Sequence, residues 1–458
     1  MSVSEIDHEL GMEVYTTKTP GIGGVIRKKI EDFIVEEVLI DGSKATIQQN
    51  NVSTKPVLGA TTSKQHFLLC ILVKQNYDTF LAIKNVSKSL DIKQSRIQFA
   101  GIKDAKAITA QHVTIEGLSF EEAQKVSSKD LELRPLGYFR EQLSAFYLLG
   151  NNFTINITNL DLNQTKIHEQ ILQTLNEVQT NTGMPNFFGH QRFGTIRPIT
   201  HVVGKALVQG NIKEAAMLFL AKPSLNEHPK SRQARETLQE SQNFKQALED
   251  FPSQLRYERA MISHLVNQPE DYPGAFRCLP LKLRMLFVQA YQSFLFNRFL
   301  SQRLKQGYFL NKAEIGDYVI NVERSGLPMV RTGKIVVEDK LDEINKSIIE
   351  GKMRVALPIV GCSQHISKGK IGEIQQSIID SEDINIHNFR VNSMPEINSK
   401  GELRAIVTPI NNFNLKIGNE PEHLSQTASL EFMLYRGSYA TVFLREIIKP
   451  QNPIIAGF

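Results

Sequence analysis

At 458 residues, 41 % of them hydrophobic, the chain exceeds one typical domain and has enough apolar content for more than one core. Its 53 Lys and Arg against 48 Asp and Glu leave a net charge of +5, a mild basic excess that permits nucleic-acid binding without requiring it. The cysteines Cys70, Cys278 and Cys362 stand far apart with no CxxC pair, which argues against a disulfide framework and a cysteine zinc site, and the longest apolar run is too short to cross a bilayer.

The stretch from Met1 to Glu13 is polar and acidic rather than basic and apolar, so a soluble cytoplasmic protein is expected, without membrane association and with no obligate protein partner evident. An extended region from Gly24 to Ile40 leads into a polar stretch, Asp41 to Gln65, that lacks aromatics and reads as a loop or frayed insertion. Phe67 to Val73 reads as a strand, and Asp78 to Leu90 as a helix on the spacing of Phe80, Leu81, Ile83, Val86 and Leu90. His112 to Ile115 is a second strand, Glu121 to Lys129 a polar helix, and Phe153 to Ile157 a third strand. Gln164 to Thr180 is amphipathic, with Ile167, Ile171, Leu172 and Leu175 on one face. The composition shifts from Gly204. Lys213 to Leu220 looks helical, Asn226 to Arg256 is highly charged, Leu281 to Arg303 has long helical periodicity, and Tyr318 to Val360 is strand-rich. A final strand pattern covers Tyr439 to Leu444.

Two segments carry chemistry. Gly101-Ile102-Lys103-Asp104-Ala105-Lys106-Ala107-Ile108-Thr109-Ala110-Gln111 sets a single acid between strands, on a turn where functional groups concentrate. Lys103 and Lys106 can favour the ionised carboxylate by through-space attraction, and Thr109 and Gln111 bring neutral donors near it. The second segment, Asn186-Phe187-Phe188-Gly189-His190-Gln191-Arg192-Phe193-Gly194, mixes aromatics with amide, imidazole and guanidinium groups. Such a mixture suits nucleic acid: rings stack on bases, amides meet base edges, and arginine meets phosphate in a fork. There is no GxxxxGK[ST] loop, no HExxH and no clustered acid set, so metal-dependent phosphoryl transfer or hydrolysis lacks its machinery.

Gly101-x-Lys103-Asp104-x-x-Ala107-x-Thr109-x-Gln111, followed by Asn186-x-Phe188-Gly189-x-Gln191-Arg192-Phe193-Gly194, resembles the TruD family of RNA pseudouridine synthases. Glu31-Asp32-Phe33-Ile34-Val35-Glu36, Tyr291-Gln292-Ser293-Phe294-Leu295-Phe296-Asn297, and the run from Gly437 to Glu446 resemble the family in the same order, so the likeness spans almost the whole chain. The resemblance implies an α+β fold: a catalytic domain from residues 1–204 and 386–458, with a mixed, mainly antiparallel sheet and flanking helices, and an inserted TruD-specific α/β domain from 205–385.

It also implies a uridine-to-pseudouridine isomerase that needs no cofactor or metal. The implied substrate is tRNA, typically uridine 13 in the D-arm, with other RNAs used by some members. Asp104 takes the place of the catalytic Asp, and Phe188 that of the aromatic that stacks on the target base. Asn186 and Phe33 resemble pocket residues, each with an alternative reading, as a loop-capping amide and a core ring respectively. The cationic partner of Asp104 is Arg27 or its neighbour Lys28, in a stretch where the family usually has Lys. Gln191 to Gly194 read as shaping the loop, and Gln292, Ser293 and Asn297 as polar packing between helix and domain. A non-catalytic tRNA-binding or tRNA-folding protein on the same scaffold is the alternative function.

Overall fold

The computed structural model describes residues 2–48, 56–419 and 425–458. Its strands, in chain order, are β1 (Phe33–Leu39), β2 (Phe67–Gln75), β3 (Ile97–Phe99), β4 (Ile108–Glu116), β5 (Leu131–Phe139), β6 (Leu148–Leu160), β7 (Met184–Pro185), β8 (Tyr318–Val322), β9 (Pro328–Ile335), β10 (Met353–Ile359), β11 (Glu402–Ala405), β12 (Val407–Thr408), β13 (Asn411–Asn419) and β14 (Gln426–Tyr435). The large sheet runs β13-β14-β6-β1-β4-β2-β5, with β3 on β4. Only its β1–β4 pair is parallel, so the sheet is mixed and mainly antiparallel.

Register puts related side chains on one face of this sheet. Lys74 lies opposite Thr109, Thr109 beside Val35, Val35 opposite Phe153, and Phe153 opposite Phe432. Side chains alternate along a strand, so Gln111 and Glu37 share that face one pleat further on, as does Asn151 opposite Glu37. Helix Thr79–Ser89 covers one end of the face through Ala82, Ile83 and Val86. Its first turn is capped by Asp78, whose side chain accepts from Phe80 N and Leu81 N. Helices Gln164–Thr180 and Ala440–Ile448 pack into the core at the other end, where Phe443 meets Phe432 edge to face at 5.0 Å. The loop around Asp104 lies between these two covered regions.

The second sheet is antiparallel, in the order β11-β10-β8-β9. Helix Leu281–Lys305 joins it to the rest, and helix Thr200–Val208 lies so close that a Cβ on Gly204 would stand 2.0 Å from the Phe287 carbonyl. Residue 385 is not a clean border, because β11, at 402–405, completes the second sheet.

Other expectations change as well. Tyr439 to Leu444 is not a strand: Tyr439 caps helix Ala440–Ile448, every residue of which is buried. A continuous apolar run suits a buried strand and a buried helix equally, and periodicity alone cannot separate them. The polar helix expected over Glu121 to Lys129 shrinks to Phe120–Ala123, started by a Ser119–Glu122 capping box. The polar stretch Asp41 to Gln65 contains a short 3-10 turn, Val57–Gly59, and its residues 49–55 lie outside the described residues. The charged span Asn226 to Arg256 contains helices Pro229–Ser241 and Phe244–Asp250.

Candidate active site

Three adjacent strands each hold a different residue of the Asp104 loop. From β4, Gln111 Nε2 donates to the Gly101 carbonyl at 3.1 Å. From β1, Glu37 binds the Lys103 ammonium at 2.6 Å, and from β2, Lys74 Nζ donates to the Asp104 carbonyl at 2.7 Å. Thr79 closes the grip: its hydroxyl accepts from Lys103 N at 3.1 Å and donates to the Lys103 carbonyl at 3.2 Å. Glu37 also accepts from His112 N at 3.0 Å. Burial alone would raise its pKa, but the Lys103 and His112 charges and hydrogen bonds outweigh that and hold it below the ordinary value.

The neighbours of Asp104 therefore differ from those the sequence indicates. Lys103 turns down into the sheet toward Glu37, and Lys106 is exposed. Gln111 is committed to the loop backbone, and Thr109 is buried with its hydroxyl unpartnered. The physical reason is that residues 103 and 104 are adjacent in a non-helical segment, so one side chain entering the core sends the next outward.

The carboxylate meets Arg27 and Gln191 instead. Arg27 Nη2 lies 3.4 Å from Asp104 Oδ1, and Gln191 Nε2 donates to the same oxygen at 2.5 Å. Arg27 is held in place from two further directions, by Nη1 donating to the Gly457 carbonyl at 2.8 Å and by the guanidinium carbon lying 3.8 Å over the Phe33 ring. Its backbone is left-handed, φ +59°, a conformation uncommon in residues other than glycine. Burial lowers its pKa and the Asp104 charge opposes that, so it remains a cation at any ordinary pH. Lys28 faces elsewhere, donating to Asn159 Oδ1 at 3.0 Å.

Asp104, Arg27, Gln191 and Phe33 line a cavity of 240 Å³ whose wall also includes Phe153, Asn151 and the segment from Gly437 to Thr441, Tyr439 among them. Asp104 is the one acid among the described lining residues. Asn151 Oδ1 and Thr441 Oγ1 are buried there without a hydrogen-bond partner. Phe33 is buried and packs edge to face on Phe153 at 6.2 Å, so it is both a core ring and a cavity wall.

Phe188 and Asn186 line the adjoining cavity of 640 Å³, which shares Arg436 with the first. Phe188 is 7 % exposed, with the Arg404 guanidinium carbon 4.1 Å over its ring and Tyr439 edge-on at 6.1 Å. Burial draws the Arg404 pKa down to about 10, which leaves it charged at neutral pH. The Asn186 amide is engaged on both its polar atoms, donating to the Ala405 carbonyl at 2.9 Å and accepting from Arg404 Nη2 at 2.7 Å. In this state Asn186 is a loop clamp.

The rest of the second motif is anchored from below. Asn297 accepts from Phe188 N at 2.8 Å and donates to the Phe188 and Leu10 carbonyls, each at 3.0 Å. Gln292 donates to the Val360 carbonyl at 2.5 Å, and Ser293 accepts from Arg192 at 3.1 Å. His190 Nε2 stands 2.8 Å from Asp7 Oδ1, and Arg445 donates to Asp7 Oδ2 at 2.9 Å. Burial would raise the Asp7 pKa, yet Arg445 and His190 outweigh it and bring it to about 2.

Tyr439, Arg404, Asn151 and Thr441 are site residues to which sequence reasoning assigns no role, and Gln191, read as shaping the loop, bonds Asp104 directly. Gln191 and Tyr439 lie inside quoted motifs, whereas Asn151 and Arg404 sit in strand-like stretches that carry no chemical signature. Among the described residues no group of three or more His, Cys, Asp or Glu is arranged around a metal position, and no helix is long and apolar enough to cross a membrane.

The family model described as tRNA pseudouridine synthase D (TruD) matches residues 9–447. A protein of Methanococcoides burtonii named probable tRNA pseudouridine synthase D is 37 % identical over 448 residues, 98 % of each chain. One of the same name from Methanosarcina barkeri is 35 % identical over 449 residues, again 98 % of each. A crystal structure of TruD from Methanosarcina mazei superposes with a TM-score of 0.82 at 34 % identity, covering 99 % of this chain and 100 % of that one. Matched over nearly its whole length by model, sequence and fold, the chain belongs to the TruD family of pseudouridine synthases and is an isomerase of that class.

Proposed function

We propose that this protein converts uridine to pseudouridine in tRNA, that Asp104 is its catalytic carboxylate, and that the target is uridine 13. The observation that carries the reading is the lone Asp104 carboxylate, held by Arg27 and Gln191 at a cavity with an aromatic wall. The reaction breaks the N1–C1′ bond, turns the uracil without releasing it, and joins C5 to C1′; the C5 proton leaves and N1 ends as N–H. One carboxylate serves this chemistry. Glycoside hydrolysis usually needs two flanking the bond, one of them to handle a water that this site must exclude.

Within this reading Arg27 supplies the positive charge beside Asp104, and Phe33 holds Arg27. Asn151 Oδ1 and Thr441 Oγ1 are available to the polar edge of the base, since groups buried without partners are costly until a ligand satisfies them. Phe188 and Arg404 form a stacked wall in the adjoining cavity, suited to the swung-out nucleotide or its neighbour. The chemistry is assigned to the large-sheet domain, and RNA selection to the inserted segment 205–385 with β11 added. A cytoplasmic location accompanies the reading, and the described thiols Cys70, Cys278 and Cys362 are free.

The test is pseudouridine mapping in tRNA incubated with wild type and with Asp104→Asn. Wild type should modify uridine 13, and the nearly isosteric amide should bind tRNA normally and form none. Turnover in freshly purified Asp104→Asn would overturn the assignment. A wild type that binds and refolds tRNA without modifying it would favour the non-catalytic alternative.

A further inference from the structure

We propose that Lys74 is a positioning residue for the reaction: its ammonium fixes the peptide of Asp104 and places a positive charge behind the carboxylate. The inference rests on the assignment of Asp104 as the catalytic group. Lys74 lies on β2, in a strand that is otherwise almost wholly apolar, and has no solvent exposure. A buried amine there is unfavourable unless its donors are used. All three are directed at backbone carbonyls: Asp104 O at 2.7 Å, Tyr77 O at 2.8 Å and Lys103 O at 3.5 Å. Two of those carbonyls belong to the Asp104 loop and one to the turn before helix Thr79–Ser89, so a single ammonium joins the loop to its support.

Three acceptors require the protonated form. A neutral amine has two N–H donors, and its lone pair would face a carbonyl oxygen. Burial lowers the Lys74 pKa, the Asp104 and Asp78 charges oppose that, and Lys103 adds to the lowering, leaving it at about 8. The charged groups around Lys74 are thus Asp78 at the helix start, Lys103 and Asp104 on the loop, and Glu37, on the same sheet face, bound to Lys103. Above about pH 8 the clamp loses its charge and its third bond, while Arg27 keeps its charge and Gln191 its hydrogen bond to Asp104.

The experiment measures the single-turnover rate of pseudouridine formation at saturating tRNA transcript from pH 6 to 10, with tRNA affinity measured in parallel. Lys74→Met should lose more than tenfold in rate, with tRNA affinity within twofold of wild type. Lys74→Arg should recover part of the rate and should lack the decline that wild type shows above about pH 8. Any alkaline loss arising in the RNA is common to both enzymes, so the difference between their profiles is the readout. It remains available should Lys74→Met fail to fold. Identical alkaline limbs for wild type and Lys74→Arg, or a folded Lys74→Met within twofold of wild type, would overturn the proposal. Should that happen while Asp104→Asn is inactive, only the Lys74 inference fails; an active Asp104→Asn removes the reading beneath it.

Discussion

Replacing Arg27 by Met keeps an unbranched apolar chain against Phe33 but removes the charge beside Asp104 and the bond to the Gly457 carbonyl. The charges stand 3.4 Å apart, with side-chain exposures of 10 % and 21 %. At that separation Coulomb's law gives about 5 kcal/mol for an effective dielectric of ~20 and about 1 kcal/mol in bulk water. A pair open on one side belongs between these limits, at roughly 2–3 kcal/mol, which corresponds to a loss of about 30- to 150-fold in kcat/KM if the whole interaction acts in the transition state. Arg27→Lys keeps a point charge without the fork and should recover a large part of the loss. The assay is single-turnover pseudouridine formation with subsaturating tRNA, comparing Arg27→Met, Arg27→Lys and Lys28→Met. An Arg27→Met enzyme within threefold of wild type would refute the electrostatic reasoning, and a greater loss in Lys28→Met would move the partner charge one residue along.

Asn297→Ala removes three buried hydrogen bonds and orphans the Phe188 and Leu10 backbone groups, so stability should fall by about 3–5 kcal/mol, read as a lower urea midpoint. Loss of less than 1 kcal/mol would mean that the loop holds itself. His201 is buried between Phe193 and Phe294, and burial, with the Lys222 charge adding to it and Glu382 opposing, depresses its pKa to about 4. Its folded pKa lies below the unfolded value of about 6.5, so the unfolded chain takes up a proton first and stability should decline as pH falls from about 6.5 toward 4, by about 2–3 kcal/mol from this group. Urea midpoints at pH 7 and pH 5 should therefore differ less in His201→Phe than in wild type, and equal differences would remove His201 from the acid response.

How much of this was legible in the sequence differs by residue. Asp104 and Arg27 could be named because each stands in a short segment with a recognisable pattern, and the structure brings them together across the β1–β4 pair. The grip on the loop could not be read, since Lys74, Glu37 and Gln111 meet it only through a register that pairs distant strands. A buried lysine in an apolar run gives no local sign of which carbonyls it will meet. Gln191 lay inside a quoted motif, but only the folded backbone reveals that it reaches Asp104. Phe188 belonged to a clear motif, whereas its cover, Arg404, arrives from a strand 216 positions later in a stretch with no pattern of its own. Tyr439 to Leu444 reads as a strand because that run is apolar apart from Thr441, and Arg445 and Glu446, which complete the polar face of helix Ala440–Ile448, lie just beyond it.

The bond from Arg27 to the Gly457 carbonyl joins residues 430 positions apart. At a synthesis rate of about 5–20 residues per second, roughly 20–90 s separate the appearance of the first from that of the second on the ribosome. Once β4 has been made the nascent chain can pair it with β1 and close the Asp104 loop, while the Arg27 guanidinium still lacks the Gly457 carbonyl. Under the role proposed for Arg27, the counter-charge of Asp104 is therefore fully seated only after Gly457 has been made.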